Sequence, residues 1–110
     1  MLALLQRFCE KIIQQLEKRE GRKVICSILP CFEIPFVVEF YYFLLNPIPL
    51  IPVKLLTIMI ERDEEGNKFA ECCFYNKRLE QGMLPDIAEQ LKELGIYLKD
   101  NNPVLLLTEY

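Results

Sequence analysis

Over residues 2–19, apolar side chains recur at steps of three and four. Leu5, Phe8, Cys9, Ile12 and Leu16 fall along one side of a helix, with Gln6, Arg7, Glu10, Gln14, Glu17 and Lys18 on the other. Gly21 supplies the stop, because glycine tolerates the left-handed backbone that closes many helices. From Arg22 the chain turns to β-branched and aromatic residues. Residues 23–29 predict a strand ending at Pro30. Phe32, Ile34, Phe36, Val38, Phe40, Tyr42 and Leu44 then alternate with Glu33, Glu39 and Tyr41, the period of two that a strand imposes. Pro35 cannot donate a ladder hydrogen bond, so this strand is predicted from Phe36 to Leu45, with one face fully apolar.

Residues 46–52 read Asn-Pro-Ile-Pro-Leu-Ile-Pro. Each proline fixes its own φ and pushes its predecessor towards extended geometry, which predicts a stiff, apolar loop. Residues 53–61 and 68–75 are the third and fourth strands. The charged run between them contains Gly66-Asn67, a pair able to adopt positive φ, and predicts an antiparallel hairpin. Residues 76–83 are polar and turn-like. A short helix is expected over 85–94, where Pro85 suits a first turn and Leu84, Ile87, Ala88, Leu91 and Leu94 share a face before Gly95. Residues 96–99 are extended, 100–103 form a turn and 104–108 a last strand.

These elements predict one α+β domain over residues 1–110. It has two layers: a mainly antiparallel sheet of four to five strands, with an N-terminal and a C-terminal helix on one face. The apolar fraction of 52% against 26% charged residues is that of a globular chain, which sets disorder aside.

Charge narrows the function classes. Thirteen basic and sixteen acidic side chains are interspersed, giving a net charge of −3, whereas phosphate-backbone affinity comes from clustered Lys and Arg. No nucleic-acid partner is expected, although double-stranded-RNA-binding domains share the helix, strands, helix order. The aromatic row Phe32, Phe36, Phe40 and Tyr42 could stack bases, but Glu33 and Glu39 are its charged neighbours, so core filling is the expected role.

No histidine is present, which removes the usual general base near neutral pH and the nucleophilic triads built on it. Of the five cysteines, Cys9, Cys26, Cys31, Cys72 and Cys73, two are adjacent, and neighbours on a strand point to opposite faces instead of closing a zinc knuckle. An odd number without a signal-peptide pattern predicts reduced thiols in a cytoplasmic, intracellular compartment. Asp63, Glu64 and Glu65 do not match a calcium loop, and the four glycines are isolated, so no phosphate loop forms. Neither cofactor nor metal is expected. The uncharged run 40–53 is too short and proline-rich to span a bilayer, leaving membrane association by the greasy loop as a lesser alternative.

Apolar side chains remain in excess. Tyr41, Phe43 and Leu45 fall on the second face of their strand, while Ile48, Leu50 and Ile51 sit in the apolar loop. These six residues are the candidate partner-binding surface. The expectation is a non-enzymatic protein-interaction module, a small subunit, adaptor or inhibitor that binds a protein partner or forms a homo-oligomer, specifically a dimer. The alternative is a small-molecule-binding domain or minor enzyme with a pocket between sheet and helices.

Overall fold

Helix α1 (Leu2–Glu20) presents Leu5, Phe8, Cys9, Ile12 and Leu16 to the interior, the stripe its sequence period dictates. Its end is fastened twice: the Gly21 N–H donates to the Glu17 carbonyl at 2.8 Å, and the Val24 N–H donates to Glu17 Oε2 at 3.0 Å. The computed structural model describes residues 2–29, 35–44 and 51–99, with nothing described of the Leu2 side chain. The strand expected over 104–108 lies outside these residues.

Strands β1 (Ile25–Leu29), β2 (Phe36–Leu44), β3 (Ile51–Arg62) and β4 (Lys68–Phe74) pair in sequence order, each antiparallel to the next. Helix α2 (Lys77–Glu93) then crosses over, so β5 (Tyr97–Leu98) joins the far edge parallel to β4. The fold is thus a five-stranded, mostly antiparallel sheet with both helices on one face. Gln15 donates to Asp86 and Arg19 to the Gly82 carbonyl, a pairing that runs the two helices antiparallel.

A bulge adjusts the sheet to its core. Phe40 pairs with Leu56 but Tyr41 with Lys54, which leaves Leu55 as the extra residue of β3. An extra residue breaks strict alternation, and both Leu55 and Leu56 are buried as a result. They join Val38, Phe40, Ile58, Ile60, Ala70, Cys72 and Phe74 beneath the helical stripes. No polar or charged residue is buried among the described residues.

The hairpin forms where expected, with a five-residue connection, 63–67, across which the Asp63 N–H donates to the Asn67 carbonyl at 2.9 Å. The Gly66 N–H donates to the Asp63 carbonyl at 3.0 Å, and Gly66 takes φ +87°, the positive value that lets a type I turn re-enter the ladder through a bulge.

Several boundaries differ from expectation. Strand β1 begins at Ile25, two residues later than the pattern suggests. Strand β3 begins at Ile51, so Ile51 and Pro52 are strand residues instead of loop. Pro52 is tolerated because β4 pairs with β3 only from Leu56 onward, leaving residues 51–55 as a local edge. The rest of the proline-rich loop lies outside the described residues.

Helix α2 also begins eight residues before Pro85. Asn76 Oδ1 accepts the N–H groups of Arg78 and Leu79 at 2.7 and 3.4 Å, a side-chain cap that outweighs the proline as a start signal. Leu79, Met83, Ile87 and Leu91 then form one buried stripe. Pro85 sits exposed in the interior, where the carbonyl it leaves free can be met by water. The helix ends at Gly95, φ +75°, with the N–H groups of Gly95 and Ile96 donating to Lys92 and Leu91 carbonyls at 3.0 Å each.

Candidate protein-docking face

With both helices on one side, the alternate residues of every strand look outward. The register aligns Ile25 with Tyr41, Ser27 with Glu39 and Leu29 with Val37 across β1 and β2. It aligns Val37 with Met59, Glu39 with Thr57, Tyr41 with Lys54 and Phe43 with Pro52 across β2 and β3. Leu29 is 64% exposed, Ile25 38% and Met59 36%, values far from those of the core.

The polar groups on this face are spent on one another. Ser27 Oγ and Tyr41 Oη share a hydrogen bond at 2.8 Å, and Thr57 Oγ1 and Tyr75 Oη another at 3.3 Å. Lys54 Nζ lies 3.7 Å from Glu39, and Lys99 Nζ lies 3.1 Å from Glu71 and 4.5 Å from the Phe69 ring centre. The Phe43 ring meets Tyr41 edge to face, centroids 5.5 Å apart. Ile25, Leu29 and Met59 are exposed beside these paired groups.

Two hollows meet at Phe43. One of about 320 Å³ is lined by Ser27, Leu29, Glu39, Tyr41, Phe43, Pro52 and Lys54. The other, about 550 Å³, is lined by Arg22, Lys23, Ile25, Phe43 and Leu44. Arg22 stacks 4.3 Å above the Tyr42 ring centre at the same end of the sheet.

The structure divides the six candidates. Tyr41 and Phe43 stand together on the outer face, both half-buried. Ile51 pairs with Leu44, on the opposite side of β2 from Tyr41 and Phe43, so it is separated from them despite being 45% exposed. Leu45, Ile48 and Leu50 lie outside the described residues. Ile25, Leu29, Val37 and Met59 were missed, although the alternation Ile25, Ser27, Leu29 was the available signal.

Thiol chemistry on this face is muted. Cys72 points into the core and Cys73 outward, as adjacent strand residues must. Burial pushes the Cys72 thiol up to about 12, helped by the charge of Cys73. Burial raises Cys73 as well, against the opposing pull of the Tyr75 hydroxyl and Lys54. Thiols so shifted are poor nucleophiles near neutral pH.

No helix is long and apolar enough to cross a membrane among the described residues. No protein-family model, curated protein or solved structure matches the chain.

Proposed function

We propose that this chain is a non-enzymatic protein-interaction module that self-associates through the outer face of β1, β2 and β3. The observation that carries the reading is the apolar patch of Ile25, Leu29, Val37, Tyr41, Phe43 and Met59, which neither helix covers. A second copy is the favoured occupant because β1 supplies a pairing edge. Among the described residues it is an edge strand, and its five residues, Ile-Cys-Ser-Ile-Leu, contain neither charge nor proline to discourage addition of another strand.

Fully burying a large apolar side chain contributes about 1.5–3 kcal/mol, while association costs about 4–15 kcal/mol. Four or five partly exposed side chains on each of two copies offset that cost, so a weak dimer that dissociates on dilution is the expected form. The odd cysteine count of the sequence fits the reducing, cytoplasmic setting that we propose for the chain.

Light scattering on a size-exclusion column over a dilution series tests the reading. The expected mass is that of a dimer at high micromolar concentration, falling towards a monomer on dilution. Leu29→Lys should leave the circular dichroism unchanged and abolish the dimer. A wild-type chain that stays monomeric throughout overturns it.

A further inference from the structure

Strands β1 and β2 end unevenly. Ile25, the first residue of β1, pairs with Tyr41, and β2 runs on through Tyr42 and Phe43 to Leu44 with no β1 residue opposite. The connection from α1 passes this overhang, and between them opens the hollow of about 550 Å³ lined by Arg22, Lys23, Ile25, Phe43 and Leu44. Small-molecule sites commonly enclose about 300–1,000 Å³, so the space is sufficient for a ligand.

The lining is chemically two-sided. Ile25, Phe43 and Leu44 supply hydrocarbon, Arg22 and Lys23 supply two positive charges, and no acidic residue takes part among the described residues. These cations are not the ones that complement the negative pole of α1. Lys18 and Arg19 occupy its last turn, whereas Arg22 and Lys23 follow Gly21. Neither Arg22 nor Lys23 makes an ion pair among the described residues. Arg22 is seated 4.3 Å above the Tyr42 ring centre, a contact that orients the guanidinium and leaves its charge unneutralised. We propose that this hollow binds an amphipathic anion, a fatty carboxylate whose head meets Arg22 and Lys23 and whose tail lies along Ile25, Phe43 and Leu44.

Each half of the lining selects for part of that ligand. The guanidinium of Arg22 offers paired N–H donors that match the two oxygens of a carboxylate, and Lys23 adds a second, more mobile charge. The hydrocarbon walls reward removal of the tail from water, which a small hydrophilic anion cannot exploit. A neutral tail gains nothing from the two cations, and a fatty amine is repelled by them. Ile25 and Phe43 also belong to the outer face, but the site uses neither Leu29 nor the edge of β1 and does not depend on self-association.

Decanoate, held below its micelle concentration, is titrated by calorimetry into the full chain near neutral pH, with decanol and decylammonium as tails of matched length. The expected result is one decanoate per chain, bound at least tenfold more tightly than decanol, with decylammonium weaker still. The double variant Arg22→Gln with Lys23→Gln, whose circular dichroism should match the wild type because both side chains are exposed, should bind decanoate at least tenfold more weakly and decanol unchanged. Leu29→Lys, which removes a contact of the docking face outside this hollow, should bind decanoate as the wild type does, so loss of the dimer and loss of the site are read separately. Equal affinity for the three probes, undiminished decanoate binding in the double variant, several decanoates per chain, or loss of binding in Leu29→Lys overturns the assignment.

Discussion

Tyr97 donates its hydroxyl proton to Asp63 Oδ2 at 3.0 Å, joining the β3–β4 turn to the last strand across 34 residues of sequence. The other carboxylate oxygen, Oδ1, accepts the N–H groups of Glu65 and Asn67 at 3.0 and 2.8 Å. One aspartate therefore shapes the turn and anchors β5.

This arrangement makes the turn sensitive to pH at both ends. Desolvation pushes the Asp63 carboxyl up, but the hydrogen bonds from Asn67, Tyr97 and Glu65 together outweigh it and hold the group below its ordinary range. A depressed folded value means that its stabilisation is complete above about pH 4, the ordinary aspartate range, and is lost as the pH falls through the folded value. Desolvation and then Asp63 raise Tyr97, so its contribution is complete below about pH 10 and is lost as the pH rises beyond it. Thermal unfolding followed across pH should show both losses in the wild type. Asp63→Ala should flatten the acid limb and lower the midpoint at neutral pH, and Tyr97→Phe should flatten the alkaline limb.

Much of this fold was legible because local signals agreed with packing. The three- and four-residue steps of α1, the period of two from Phe36 to Leu44 and the Gly66 turn each had a single structural solution. Helix α2 was misread because Pro85 is a strong start signal in the sequence, while the cap that decides the matter, Asn76, lies in a stretch that is polar on its surface. Ile51 was misassigned for a related reason. Its prolines announce a loop, and only the pairing of β3 with β2 alone shows why a strand tolerates them. The bulge at Leu55 was not legible at all, since Leu-Leu reads equally well in or out of register. The docking face was half legible: alternation within β2 separates Tyr41 and Phe43 from Phe40, but their neighbours Leu29 and Met59 are brought beside them by register between strands.

Helix α2 carries two residues that weaken it, and both can be relieved. At Gly82 an added methyl would lie 2.6 Å from Arg19 Nη1, but that atom is the far end of a flexible, exposed side chain whose hydrogen bond to the Gly82 carbonyl is also exposed. Alanine should therefore displace Arg19 at little cost and gain about 0.5–1 kcal/mol from helix propensity. Pro85→Ala restores a backbone donor in the helix interior and should stabilise by about 1–3 kcal/mol. Urea unfolding should show higher midpoints for both variants; a lower midpoint for Gly82→Ala would mean that Arg19 cannot yield.

Asp86 holds the two helices together through one oxygen. Its Oδ2 accepts from Gln15 of α1, and from Gln90 of α2 at 3.0 Å, while the Oε1 atoms of both glutamines are buried without partners. The joint thus depends on the carboxylate, and hydrogen bonds to a charged group contribute about 1.5–3 kcal/mol. Asp86→Ala strands two buried amides and should destabilise by about 2–3 kcal/mol, more than Asp86→Asn, whose side-chain carbonyl still accepts. Equal losses in the two variants, measured by urea unfolding, would show that charge rather than geometry governs the joint.

The two aromatic and aliphatic candidates retained on β2 and β3 separate the docking reading from simple surface greasiness. Phe43 lies between the two outer-face hollows, against Tyr41, while Ile51 is on the helix-facing side of the sheet and 45% exposed. Both would become acidic on substitution with aspartate, and both would lower the apolar surface of the chain. If the outer face is where a second copy binds, Phe43→Asp must desolvate a carboxylate against hydrocarbon in the dimer and should weaken association at least tenfold. Ile51→Asp, facing away, should change it less than threefold, within the scatter of rim substitutions. Dissociation constants from sedimentation equilibrium, with circular dichroism as the check on folding, decide between them. Equal weakening by both substitutions would mean that association follows total hydrophobicity and not this face.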